Sequence, residues 1–248
     1  MEDLSLSLPA GRLIPHCKWR LRTFVERDAY ADYDHAATRF AAAADVITTD
    51  HVTAMNSAMF ARSPRAAWNQ FVGQPLPELR AIPTTLDLID GSDEAVAVGL
   101  ATLGRLVEVI SAHKWLTDMA ASKVLFLKRP RFVGVSDSYV RECLGIDERR
   151  LGERPETPAF YSARMIAVQR GLRELGKRNQ AVLTELKAYM DGVVSVVPTV
   201  GRFKGQQIPV HLSKVRILDI LLWTEVAIHG ATPHPRWGPW YRTETGDA

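Results

Sequence analysis

Apolar residues along this chain recur at helical spacing far more often than in strict alternation. The clearest case follows the turn signal Asp90-Gly91: Ser92-Asp93-Glu94 opens a helix, and Val96, Leu100, Leu103, Leu106, Val107 and Ile110 then share one broad face. Residues 113–116 read as a turn and 117–127 as a second helix. Pro130 ends that helix by removing a donor and biasing Arg129 away from α. Residues 132–135 read as extended, and Asp137 begins a short helix that stops near Gly145.

Upstream, the stretch to about Tyr33 shows no clear period, whereas residues 36–46 are Ala-rich and favour helix. Thr49 or Asp50 caps a helix carrying Val52, Met55, Met59 and Phe60. Ser63-Pro64 reads as N-cap and first helical position ahead of Trp68 and Phe71, and Pro75 and Pro77 end that short helix. Downstream, residues 146–158 form a polar connector suited to crossing between two lobes. Thr157-Pro158 opens a long helical region to about Met190, with Gly171 and Gly176 as its weak points. Residues 193–209 are β-branched and Gly-punctuated, so a hairpin and an ordered loop are both open. Residues 211–228 are apolar almost all round, as in a buried helix, and Gly230 stops them; the Pro- and Trp-rich tail is expected to be irregular. The expected fold is all-α and two-lobed, one unit over residues 1–248, with 146–158 as the crossover.

Composition narrows the class. A chain of 248 residues with 46% hydrophobic and 24% charged positions can bury a core and is neither disordered nor collagen-like. Two cysteines, Cys17 and Cys143, exclude a four-thiolate zinc site or an iron–sulfur cluster; one disulfide between them and two free thiols are both open, the latter being simpler in a reducing cytoplasm. The acidic start Met1-Glu2-Asp3 is not followed by the apolar core of a signal peptide, and charges interrupt the most apolar stretches. A cytoplasmic protein without a membrane partner is expected. The formal charge of +3 permits an anionic partner without demanding one.

The richest chemistry lies in residues 120–140. Lys123, Lys128, Arg129 and Arg131 concentrate positive charge with no acidic residue nearby before Asp137. Such an edge can bind the phosphates of a nucleic acid, with Lys114 and Trp115 just ahead of it, or it can complement a helix C-terminus and stay solvated. Asp137 has two readings as well: the N-cap of the helix that follows it, or a reactive carboxylate. The seven histidines show no repeated metal-ligand spacing, and no metal or other cofactor is expected. Arg216 and Asp219, one turn apart, read as an internal pair.

The pattern A-S-K-x-L-x-x-K-R-P-R-x-x-x-V-x-D-S-x-V over residues 121–140, with L-S-K-V-R-I-L-D-I-L-L-W over 212–223, resembles an uncharacterised bacterial family of unknown function, from about Asp50 to Trp223. The first block is more distantly similar to the helix-hairpin-helix DNA glycosylases of the endonuclease III type. That likeness implies a two-lobed helical fold with a helix-hairpin-helix-like core over residues 92–145, a DNA partner, and excision of a damaged or modified base with Asp137 as the catalytic carboxylate. The family's glycine hairpin falls on Trp115-Leu116-Thr117, which has no glycine, and its Schiff-base lysine falls on Met119. The resemblance therefore implies a monofunctional glycosylase, against the alternative of a non-catalytic DNA-binding or protein-interaction module on the same scaffold.

Overall fold

The computed structural model describes residues 4–28, 31–40, 45–59, 61, 63–231 and 233–246. Among them the chain is all-α. Twelve α-helices are joined by turns, and the one sheet is a short antiparallel hairpin, β1 (Leu6–Ser7) with β2 (Leu13–Ile14). The helices are α1 (Cys17–Arg27), α2 (Ala31–Phe40), α3 (Thr49–Ala58), α4 (Arg65–Trp68), α5 (Pro77–Ala81), α6 (Asp93–Ser111), α7 (Asp118–Lys128), α8 (Ser138–Leu144), α9 (Pro158–Arg178), α10 (Gln180–Gly192), α11 (Lys214–His229) and α12 (Trp237–Thr245). No described helix is long and apolar enough to cross a membrane.

The central block forms as its spacing predicts. Ser92 caps α6 by accepting the Ala95 amide, and Asp137 caps α8 by accepting the Val140 amide. Gly145 ends α8 at a positive φ of 65°, which glycine adopts without a steric penalty. Thr157 caps α9, with Pro158 at its first position. Residues 146–158 link α8 to α9 through one 3₁₀ turn, Glu148–Arg150. The main apolar cluster draws on helices from both sides of that link, and α6 packs closely on α9.

Other elements depart from the expectations. The stretch before Tyr33 holds α1, whose Cys17, Leu21, Phe24 and Val25 are buried. Its periodicity is masked by Arg20, which is buried on the same helix and pairs with Glu225. The tail is helical from Trp237; Pro239 sits in the first turn, where no intrahelical donor is needed. Caps upstream shift by one residue, to Thr48 for α3 and Pro64 for α4. The long helical region breaks at Asn179 and not at either glycine. The Asn179 side chain leaves the helix to bond both the amide and the carbonyl of Ser7, at 2.8 and 2.9 Å. Gly176 is needed for proximity, because a Cβ there would lie 2.7 Å from Ile89. Residues 193–209 form a loop closed by one bridge between Val196 and Ile208. The expectations for Phe60, residues 41–44 and the first three residues lie outside the described residues.

Candidate functional site

The basic stretch does not form one exposed edge. Lys123, Lys128 and Arg129 are buried, and only Arg131 is open to solvent, paired with Asp87 at 3.1 Å. Arg129 explains why. Its guanidinium donates to the carbonyls of Ile82, Leu79 and Lys128 and to Asp45, closing the C-terminal end of α5 from the core side. A cation that satisfies several buried acceptors is a structural tie and not a phosphate ligand. Burial, and then the neighbouring Arg129 charge, lower the Lys128 amine to about 8. The assignment of Lys123, Lys128 and Arg129 to a phosphate-binding edge is thus corrected.

Lys123 instead joins Asp137. Both line a partly open cavity of about 50 Å³, together with Phe24, Met59, Val135, Arg216, Asp219, Ile220 and Trp223. The cavity lies among α1, α7, α11 and the head of α8. Its size suits a few waters or one edge of a planar ring more than a bulky ligand. Lys123 Nζ donates to the Met59 carbonyl at 3.0 Å, and the Lys123 carbonyl accepts the Tyr33 hydroxyl. Asp137 uses Oδ1 for the helix cap; among the described residues no partner takes its Oδ2. The capping role and a place in the cavity therefore coexist in one carboxylate.

The floor of the cavity is a buried ionic cluster. Arg216 grips Asp34 in a two-pronged pair, at 2.7 and 2.8 Å, and its remaining nitrogen bonds Asp219. The expected internal pair of Arg216 and Asp219 is present, extended by a third member from α2. The guanidinium lies over the rings of Phe24, Phe126 and Tyr33, 5.3, 5.4 and 5.8 Å from their centres. Burial works against its charge, but the carboxylates of Asp34 and Asp219 outweigh it and hold the guanidinium above its ordinary pKa. Asp219 is pushed up to about 7, chiefly by burial; Arg216 pulls it down, while the charges of Asp137 and Asp34 raise it. Burial lowers the Lys123 amine, and Asp137 and Asp219 oppose that shift.

The segment that presents Asp137 is held from several directions. Asp118, wholly buried at the head of α7, accepts the Ser136 hydroxyl at 2.7 Å and pairs with Arg164 of α9. Arg164 also binds Glu148 at 2.8 Å, and Arg141 reaches the Ser136 carbonyl at 2.9 Å. Lys114 and Trp115 lie a few residues before Asp118, in the turn between α6 and α7. Trp115 is 65% exposed at a φ of 79°, with the Lys114 ammonium 4.9 Å above its ring. The left-handed position of this hairpin is thus filled by a tryptophan. Of the six residues assigned to nucleic-acid contact, Lys114, Trp115 and Arg131 are exposed.

Of the cavity's charged side chains, sequence reasoning singled out only Asp137 as a reactive group. Asp219 was assigned only to its pair with Arg216, and Lys123 to the surface, because the chain segments that surround them are far apart in sequence. Among the described residues no group of three or more His, Cys, Asp or Glu could hold a metal ion. Cys17 and Cys143 are both free and buried, and burial raises the Cys143 thiol to about 12. No curated protein and no solved structure matches the chain. A family model does match, over residues 19–226, which is most of its length. The chain belongs to that family of unknown function, DUF6308.

Proposed function

We propose that the chain binds DNA and hydrolyses an N-glycosidic bond at this cavity, releasing a damaged or modified base, with Asp137 as the catalytic carboxylate. The observation that carries the reading is the position of Asp137: it heads α8 with one oxygen committed to the cap and the other left to a cavity walled by Phe24 and Trp223. Breaking the bond from C1′ to nitrogen builds positive charge on the sugar, which an oriented carboxylate stabilises while water attacks. Phe24 and Trp223, in edge-to-face contact with 6.1 Å between ring centres, give the cavity an apolar side against which the edge of a base can rest. Lys114 and Trp115, exposed in the turn before α7, are suited to a phosphate and a stacked base.

The likeness to the helix-hairpin-helix glycosylases supports this reading through the V-S-D-S-x-V segment alone. A second reading, a non-catalytic DNA-binding or protein-interaction module, is favoured by the burial of Lys128 and Arg129, which leaves fewer cations for a duplex. Single-turnover excision from alkylated, deaminated and oxidised duplexes separates the two. Wild type should release at least one base, and Asp137→Asn should abolish release while keeping fold and affinity, since Asn caps a helix about as well as Asp. Binding without release from any duplex supports the second reading. Strand scission with a borohydride-trapped adduct would move the chemistry to the Lys123 amine.

A further inference from the structure

Asp137 is not the only carboxyl group in the cavity. Asp219 of α11 lines it too, 2% exposed, with Oδ2 held by Arg216 and no hydrogen-bond partner for Oδ1 among the described residues. The groups that face it are Tyr33 and Asp34 from α2, Lys123 from α7, Asp137 at the head of α8, and Arg216 one turn away on α11. Their compensation is unequal. One guanidinium serves both Asp34 and Asp219, giving Asp34 two prongs and Asp219 one, and the Lys123 ammonium bonds a backbone carbonyl in preference to a carboxylate. A carboxyl group nearly sealed from water and held by one prong of a shared cation sheds its charge most cheaply by retaining a proton. Asp219 is that group.

We infer that Asp219 is the proton donor of this site, delivering its carboxylic acid proton to the departing base while Asp137 serves the sugar. The inference rests on the reading of the cavity as an N-glycosidic hydrolase and assigns it a substrate preference: bases that leave as anions unless they are protonated. In the reaction, the bond from C1′ to nitrogen breaks and its electron pair goes to the base. The Asp219 proton moves onto the base, the oxygen of water bonds C1′, and Asp137 takes the proton that water loses. Asp137 ends protonated and Asp219 ionised, and transfer of one proton between them restores the starting state. Two carboxyl groups in one cavity, one of them nearly sealed from water, are the arrangement such acid–base division requires. The rise of Asp219 towards neutrality agrees with it.

The test compares leaving groups. An N7-methylated purine carries its positive charge already and leaves neutral without a proton, whereas uracil or hypoxanthine departs better when protonated. Asp219→Asn, which can still accept from Arg216, should lower single-turnover excision of uncharged bases by about 100-fold or more and leave methylated purines within about threefold. Retained activity on the methylated purines also shows that the variant is folded. In wild type, excision of uncharged bases should fall as pH rises through about 7, and excision of methylated purines should not. Equal losses on both classes in a folded variant, or parallel pH profiles in wild type, overturn the inference. Should the variant not fold, the wild-type profiles decide. Inactivity of wild type on every duplex overturns the reading of the cavity and this inference with it; an active wild type indifferent to the leaving group overturns this inference alone.

Discussion

The side-chain amide of Gln169, fully buried on α9, pairs in both directions with the backbone of Gly134: it accepts the Gly134 amide at 2.8 Å and donates to the Gly134 carbonyl at 3.0 Å. Among the described residues no strand pairs with segment 133–136, so the Gln169 side chain takes a strand's place for the buried polar groups of Gly134. Glycine at 134 leaves room for Leu172, whose Cδ1 would lie 2.3 Å from a Cβ there.

Removing this pairing should be costly. Gln169→Leu leaves a buried donor and acceptor unpaired, an expected loss of about 2–5 kcal/mol. Gly134→Ala forces Leu172 aside, at about 1–3 kcal/mol. Urea denaturation measures both. Losses under about 0.5 kcal/mol in both variants would mean that the segment is held by other contacts.

Arg129 and Arg131 should behave as opposites. Arg129→Ala strips cover from the buried carbonyls of Leu79 and Ile82 and leaves Asp45 to Arg80 alone, so stability should fall by about 2–4 kcal/mol. Arg131→Ala removes a half-exposed pair and should change stability by less than about 1 kcal/mol. If Arg131 meets a phosphate, its loss should also flatten the dependence of DNA affinity on salt by about one unit of slope. An Arg129→Ala protein of wild-type stability would refute the structural role.

At Trp115 the usual ranking of Ala and Gly should invert. Its positive φ strains every residue but glycine, so Trp115→Gly should be more stable than Trp115→Ala by about 1 kcal/mol. Both variants should weaken DNA binding if the ring stacks on a base. A more stable Ala variant would show that the turn relaxes away from this conformation.

Asp219 also sets a pH dependence of folding. Its folded value is raised towards 7 from about 4 in an unfolded chain, so its contribution is full below about pH 4 and is lost as pH rises through about 7. The loss is on the order of a few kcal/mol. Asp219→Asn should flatten this part of the stability profile. A wild-type profile unchanged between pH 4 and 7.5 would place the proton elsewhere.

What could be read locally was read well. Ser92, Asp137 and Thr157 cap helices because a short polar side chain beside an apolar period is sufficient for that role, and the all-α class follows from the same spacing. What failed was long-range pairing. The acceptors of Arg129 lie in residues 79–82 and those of Lys123 in residue 59, so a run of cations that reads as surface is drawn inward by carbonyls the run itself does not contain. Likewise Arg20 interrupts the apolar face of α1 until Glu225 is brought against it. The cavity combines both cases: Asp137 announces itself as a cap, whereas Asp219 and Lys123 join it only through the packing of α7 and α11 around α2.

The buried thiols make the protein its own unfolding gauge. Thiolate is the reactive form, and with Cys143 raised to about 12 only roughly one in 10⁵ of its thiols is ionised at neutral pH. Cys17 sits under the N-terminal hairpin with its Sγ directed to the Ile14 carbonyl, and Cys143 near the end of α8. An alkylating reagent can mark Cys17, wholly enclosed, only when α1 or the hairpin over it opens, whereas Cys143 lines a surface cavity and is slowed by its protonation, so labelling of Cys17 times the departure of α1.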